Sequence, residues 1–264
     1  MAQAQTVTVA NTGWADHGID IVSATTPNFA SIAGAALNPQ SASNLTEFYP
    51  VSFVVRNRTT HAIAAYGSKW EWMNSSTVKR PRGNLHVNPS TFQGPEAIPA
   101  GGDRLVTPVL GLGYQPGPDP DALAVLKVKA LSPFAAGDTV IVSLDVVVLD
   151  DGTVLGPDTY QAADRLRAVV DASRQVTSNL LKRAESAVTT NDVASYLDEI
   201  VSLSAPTRGG LSVSQAIYNQ EYWLYSRTKA RIYSQILQKG GLPTLLGYVD
   251  KQVAAIARIP YPHR

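Results

Sequence analysis

The chain contains no cysteine. That excludes disulfides, a thiolate nucleophile and cysteine-ligated zinc or iron–sulfur centres, and assigns no redox compartment. It has no run of 18 apolar residues, so no apolar helix spans a bilayer. Charge is scarce: charged residues make up 16%, against about 25% in ordinary domains. The 22 Lys and Arg nearly cancel the 21 Asp and Glu, so no net field draws the chain to nucleic acid or to anionic lipid. Histidine is equally thin. His17, His61, His86 and His263 lie far apart, with none of the close His spacing of a zinc site. There is no Gly-x-Ser-x-Gly elbow, and Gly111-Leu112-Gly113 precedes a proline-rich stretch rather than a helix, so it is no phosphate loop. No metal and no cofactor are expected.

What is present changes character near residue 158. Before it come short β-branched runs broken by Gly, Pro and Asn; after it come long stretches of helix formers. Thr6–Ala10, Asp20–Ser23, Val51–Asn57, Ile63–Met73, Arg104–Pro108, Ala122–Leu131 and Asp138–Leu149 read as strands, and Thr153–Leu155 returns after a tight Asp151-Gly152 turn. Alternation places Val51, Phe53 and Val55 on one face, and Tyr66, Ser68, Trp70 and Trp72 on one face of the next strand. Thr25–Ser43 reads as loop with one short helical turn, and Asn74–Pro99 and Gly111–Asp121 as loops. Seven or eight strands at this spacing, with no strand–helix alternation, predict an antiparallel β-sandwich over residues 1–157.

Residues 158–264 predict about four helices. The first is capped by Asp158 or Thr159 and runs for roughly 30 residues, or about 45 Å. The second covers Asp192–Leu203 with Asn191 as its cap, the third Ser214–Lys239 with a stop at Gly240-Gly241, and the fourth Thr244–Ile259. Their apolar positions recur at helical spacing, so they must pack on one another, on the sandwich or on another copy. The class is therefore α+β.

Three stretches of the first part resemble known proteins. Val54–Thr60 leading into Ile63–Tyr66, and the turn Ile98-Pro99-Ala100-Gly101-Gly102, are similar to segments of Ig-like extracellular modules. Leu144–Asp158, with Asp151-Gly152-Thr153 and Gly156-Pro157-Asp158, resembles a segment of uncharacterised exported proteins of soil bacteria, notably acidobacteria, in which it leads into a long helix. The resemblance covers Val51–Leu181 and implies an Ig-like sandwich and export from the cytoplasm. It implies no catalytic residue, and after Leu203 it has no counterpart. The opening Met1-Ala2-Gln3-Ala4-Gln5 has two readings: a small-residue remnant of a removed signal peptide ahead of a secreted or periplasmic protein, or an ordinary disordered terminus.

The candidate binding residues are aromatic. Trp70 and Trp72, about 7 Å apart along one strand face, suit sugar rings or a partner's apolar groups if exposed, and a sandwich core if buried. Tyr218, Tyr222 and Tyr225 recur one turn apart, near Trp223, Arg227, Lys229 and Arg231. They serve either helix packing or a contact with a partner or another copy. Asp150, Asp151 and Asp158, or Asp119 and Asp121, lack the spacing of a calcium loop and are explained by turns and caps. Ser68, Ser143, Glu71 and Asp145 are the scattered groups from which a hydrolase would be built, and nothing in their spacing joins them. These features favour a non-enzymatic structural or interaction module, self-association included, over carbohydrate binding, and both over hydrolysis.

Overall fold

The structure is a computed structural model that describes residues 6–10, 13–36, 43–73, 79–87, 98–108, 139–186 and 189–263. The chain is α+β. It divides into two compact units, one made of the strands up to Tyr160 and one made of Gln161 onward together with the Asp151–Thr153 turn.

In the first unit, one sheet has the order β1 (Thr6–Ala10), β7 (Thr139–Leu149), β4 (Ile63–Met73), β5 (Lys79–Val87), with β8 (Val154–Leu155) also on β7. The other has the order β2 (Ile19–Ser23), β3 (Phe53–Asn57), β6 (Asp103–Val106). All pairs are antiparallel except β1 with β7, which is parallel from Thr6↔Thr139 to Ala10↔Ser143. That departs from the wholly antiparallel expectation. A parallel pair needs a long crossover, and here the intervening strands supply it. The expected loop over Asn74–Pro99 contains β5, which pairs with β4 from Ala65↔Val87 to Met73↔Lys79. Among the described residues β5 ends the strand order, and an edge strand tolerates Pro81. Within Thr25–Ser43 a short helix, α1 (Phe29–Ala35), forms, and a 3-10 segment (Ser43–Val51) delays β3 to Phe53. The strand read at Ala122–Leu131 and the loop at Gly111–Asp121 lie outside the described residues.

The β3 sheet is buried on both faces. Ile19, Phe53, Val55 and Val106 on one side join Ile63, Tyr66, Trp70, Val140, Val142, Leu144, Val147 and Leu149 of the other sheet in a single apolar cluster. Val22, Val54 and Leu105 on the other side meet Phe29, Ala33, Leu45, Phe48 and Tyr49 from α1 and the 3-10 segment. This explains why Phe53-Val54-Val55 is continuously apolar rather than alternating.

The inward positions of β7 change parity between Leu144 and Val147. Gly67 pairs with Val146 and Ser68 with Leu144, leaving Asp145 as the extra residue of a β-bulge. Local donors satisfy the carbonyls that the bulge turns out of the ladder. Trp14 Nε1 donates to Leu144 O at 3.2 Å, and Asp158 N donates to Asp145 O at 3.2 Å. The Asp145 carboxylate accepts from Tyr160 N at 3.3 Å. Asp158 is thus spent on the bulge with φ +51°, and the expected helix cap does not form there.

Asn57 joins two turns. Its buried Nδ2 donates to His61 O at 2.7 Å, Ile98 O at 3.2 Å and Pro99 O at 3.1 Å, and its Oδ1 accepts from Thr59 N at 3.0 Å. Backbone bonds from Gly101 N to Asn57 O and from Asn57 N to Gly102 O, 2.8 and 2.9 Å, close the arrangement. Asn57→Ala removes the amide that ties the two turns together, while His61 O, Ile98 O and Pro99 O each keep one other donor, from Thr59 Oγ1, Ile63 N and Gly102 N, so a loss of about 1–2 kcal/mol is expected. Chemical denaturation checks it: an unchanged midpoint would mean that the Asn57 amide does not hold the two turns together.

The second unit holds α2 (Ala162–Glu185), α3 (Thr190–Ser202) and α4 (Val213–Ile256). α2 starts three residues later than the last expected cap, with Gln161 at its N-cap and no side-chain capping bond. α3 is capped by Thr189 rather than Asn191. Thr189 and Asp192 form a reciprocal capping box, and those hydrogen bonds hold the Asp192 carboxyl below its ordinary pKa. Ser212 and Gln215 do the same for α4. Gly241 breaks α4 with φ 70° and ψ −179°, so its two arms are the expected third and fourth helices, divided at the expected Gly240-Gly241 stop. Lys229 meets Gln252 and Tyr233 meets Tyr248 across that break, so the arms run antiparallel. Val176, Leu180, Val193, Leu197, Ile200, Ala230, Tyr233, Leu237, Leu245 and Val249 form the core shared by these segments.

Candidate interaction surface

Trp70 is fully buried. Its ring lies 6.4 Å from that of Phe53, and its Nε1 donates to Val51 O at 2.9 Å. No face is left for a sugar, so Trp70 belongs to the core-filling alternative. Trp72 pairs with Val140 and Arg80 in the ladder, and its side chain lies outside the described residues.

The outer face of β4 carries a polar cluster. Lys69 Nζ sits 3.0 Å from Glu71 Oε1. Burial pulls the Lys69 ammonium down, but the Glu71 hydrogen bond and the charges of Glu71, Tyr160 and Asp145 together hold it above its ordinary value. Burial likewise raises the Tyr160 phenol, against the pull of Lys69. Glu71 and Asp145 are therefore brought to one place, as their spacing alone did not reveal. They share an ammonium there rather than flanking an open cleft. A glycosidase pair leaves an open gap between its carboxyls for the substrate, whereas here Lys69 Nζ lies on Glu71.

Asp150 and Asp151 serve turns. Asp150 accepts from Ala62 N at 3.1 Å and faces His61 Nδ1 at 2.8 Å. Asp151 accepts from Thr153 N at 2.8 Å. The side chain of His86, and both Asp119 and Asp121, lie outside the described residues.

In the helical unit the tyrosines of α4 face α2. Tyr218 Oη donates to Asp171 at 2.7 Å and Tyr222 Oη to Gln175 at 2.9 Å, each across 47 residues. Their rings stack at 6.1 Å. Thr177 and Tyr233 share a hydrogen bond of 2.9 Å across 56 residues, and Arg165 pairs with Glu221. The 47-residue offset shared by Asp171–Tyr218 and Gln175–Tyr222 means that α2 and the first arm of α4 run parallel. Burial raises the phenols of Tyr218, Tyr222, Tyr225 and Tyr233, Tyr225 to about 12. For Tyr218 burial is reinforced by the Asp171 carboxylate that accepts its proton. These groups are donors held in place, unsuited to act as bases near neutral pH.

Lys229 is buried beneath this seam. Its Nζ lies 3.5 Å from Gln252 Oε1 and 5.7 Å from the centre of the Tyr233 ring. Burial lowers its pKa to about 8. An unfolded lysine titrates near 10.4, so between those values the unfolded chain binds more protons. Stability therefore rises with pH from about 8 to 10, and the burial cost is fully present below pH 8. Lys229→Met is expected to raise stability by about 1–3 kcal/mol at pH 7 and by much less at pH 9.5. Paired urea titrations at the two pH values measure the difference; a gain independent of pH would contradict the assignment.

On the other side, α4 exposes apolar side chains. Val213 and Leu224 are 68% and 49% exposed, with half-buried Gln220 and exposed Arg231 on the same line. At 100° per residue the two lie about 20° apart around the helix, while Tyr218 and Tyr222 lie about 120–180° away. Ile232 is exposed on the flank, and Leu203 and Leu211 in the connection from α3. Trp223 braces the patch: its Nε1 donates to Leu203 O at 2.8 Å, and the Arg227 guanidinium lies 4.7 Å over its ring. The sequence marks the tyrosines of this helix with Leu224 beside them; the structure places Leu224 on the opposite side, in line with Val213, which sequence reasoning missed. Val213 and Leu224 stand eleven residues apart, three helical turns, a spacing that period counting over a shorter window passes by.

Among the described residues no helix is long and apolar enough to cross a membrane. Comparison with protein-family models, curated proteins and solved structures finds no match for this chain. Fold and surface together define a class only: an α+β protein with a β-sheet unit and a helical unit that exposes an apolar helix face.

Proposed function

We propose that the chain is a non-enzymatic interaction module, exported from the cytoplasm, that associates with further copies of itself through the exposed face of α4. The observation that carries this reading is the two-sided character of that helix: its tyrosines are committed to α2, while Val213, Leu224 and their neighbours are left to solvent. Exposed apolar side chains grouped on one helix face mark interaction sites, and Trp223 and Arg227 beside them are of the types that dominate interface energies. The near-zero net charge, 22 basic against 21 acidic residues, adds no repulsion between copies. An Ig-like sandwich for the first unit fits the shared cluster between its two sheets. Export fits the low charge and the likeness of Leu144–Asp158 to exported proteins.

The absence of cysteine makes the test direct. Leu224→Cys introduces the only thiol in the chain. In a two-fold contact a patch meets itself, so mild oxidation is expected to convert this variant to a disulfide-linked dimer at least tenfold faster than Ser31→Cys, an exposed site on α1. Equal rates would overturn self-association through this face.

A further inference from the structure

A cavity of about 160 Å³ lies in the helical unit, lined by Arg174, Thr177 and Ser178 of α2 and by Val253, Ile256 and Ala257 at the end of α4. We propose that it binds a small amphipathic monocarboxylate, with the carboxylate on Arg174 and the hydrocarbon tail against Val253, Ile256 and Ala257.

The two walls differ in chemistry. Arg174 and Ser178 stand one helical turn apart on α2, both exposed, so a guanidinium and a hydroxyl sit at the rim. Among the described residues Arg174 has no carboxylate partner. Its contact is the Tyr261 ring, 5.8 Å from the guanidinium carbon, and the Tyr261 hydroxyl donates in turn to Asp171 at 3.2 Å. The ring holds the planar fork in place, while the nearby Asp171 carboxylate is occupied by Tyr218 and Tyr261. An oriented guanidinium recognises a carboxylate through two parallel hydrogen bonds.

The opposite wall is aliphatic. Thr177, which also lines the cavity, has its hydroxyl hydrogen-bonded with Tyr233, leaving its methyl group as the surface it adds. Size bounds the occupant. An apolar cavity of about 150 Å³ accepts benzene, so a tail of about six carbons fits and a long acyl chain does not. A single guanidinium with one hydroxyl suits one negative charge better than a phosphate dianion, and the aliphatic wall rewards a tail that inorganic anions lack.

Isothermal titration of the full chain with hexanoate, hexan-1-ol and inorganic phosphate tests the assignment. Hexanoate is expected to bind, with affinity at least tenfold above hexan-1-ol and above phosphate. Arg174→Gln should cost about tenfold, the effect of one charge-assisted pair. Ala257→Phe fills the cavity from an exposed helix-end position and should abolish binding, with circular dichroism confirming that both variants stay folded. Absence of hexanoate binding overturns the proposal. So does binding that survives both substitutions, or phosphate binding as tight as hexanoate.

Discussion

Gly156→Ala is expected to destabilise the β-sheet unit by about 3–5 kcal/mol. Gly156 has φ +93°, a conformation that costs an L-residue about 1–2 kcal/mol. The larger part is steric. A Cβ there would lie 2.6 Å from Asp145 O and 2.6 Å from the Trp14 ring. Neither neighbour can yield: the carbonyl belongs to the bulge of β7, and the indole is fixed by its bond to Leu144 O. Gly101→Ala provides the contrast, with φ +74° and open space around the added carbon, and should cost only about 1 kcal/mol. Urea unfolding followed by far-ultraviolet circular dichroism measures both. Similar losses for the two would show that the bulge does not press on Gly156.

Trp70→Ala is expected to cost about 3–5 kcal/mol through the cavity it leaves, with a further 1–3 kcal/mol from stranding the Val51 carbonyl. Trp70→Phe keeps most of the apolar volume but strands the same Val51 carbonyl, so its loss should be about 1–3 kcal/mol. The ratio of the two losses is the informative quantity. If both variants melt like the wild type, Trp70 is not the centre of the cluster that joins the two sheets.

The legible parts of this fold were those where one physical signal dominates. β4 reads as a strand because Tyr66 and Trp70 alternate inward, and both lie in the core cluster. The Gly240-Gly241 stop read from sequence coincides with the break in α4. Signals failed where tertiary context decides. β5, Lys79–Val87, carries no apolar alternation, so periodicity passes over it. The parallel pairing of β1 depends on a partner more than a hundred residues away. Asp158 has the chemistry of a helix cap, but its backbone is drawn to the Asp145 carbonyl instead. The Gly156-Pro157-Asp158 segment, noticed first as a resemblance, has a physical reason within the molecule: glycine lets the chain pass under Trp14, and Asp158 then satisfies the bulge.

The candidate surface was legible in half. The tyrosines of α4 stood out as residues of one helical face, and their commitment to Asp171 and Gln175 requires knowing that α2 runs parallel beside them. Once that face is assigned, the opposite one becomes the open question, and Val213 and Leu224 answer it with apolar area.

Sedimentation velocity over a wide dilution series measures the proposed self-association most directly, comparing the wild type with a Val213→Asp, Leu224→Asp double variant. The wild type should shift from monomer to a larger species as concentration rises, and the double variant should remain monomeric with unchanged helix content. A wild type that stays monomeric at the highest concentration, or a double variant that assembles as well as the wild type, would contradict the role assigned to this helix face.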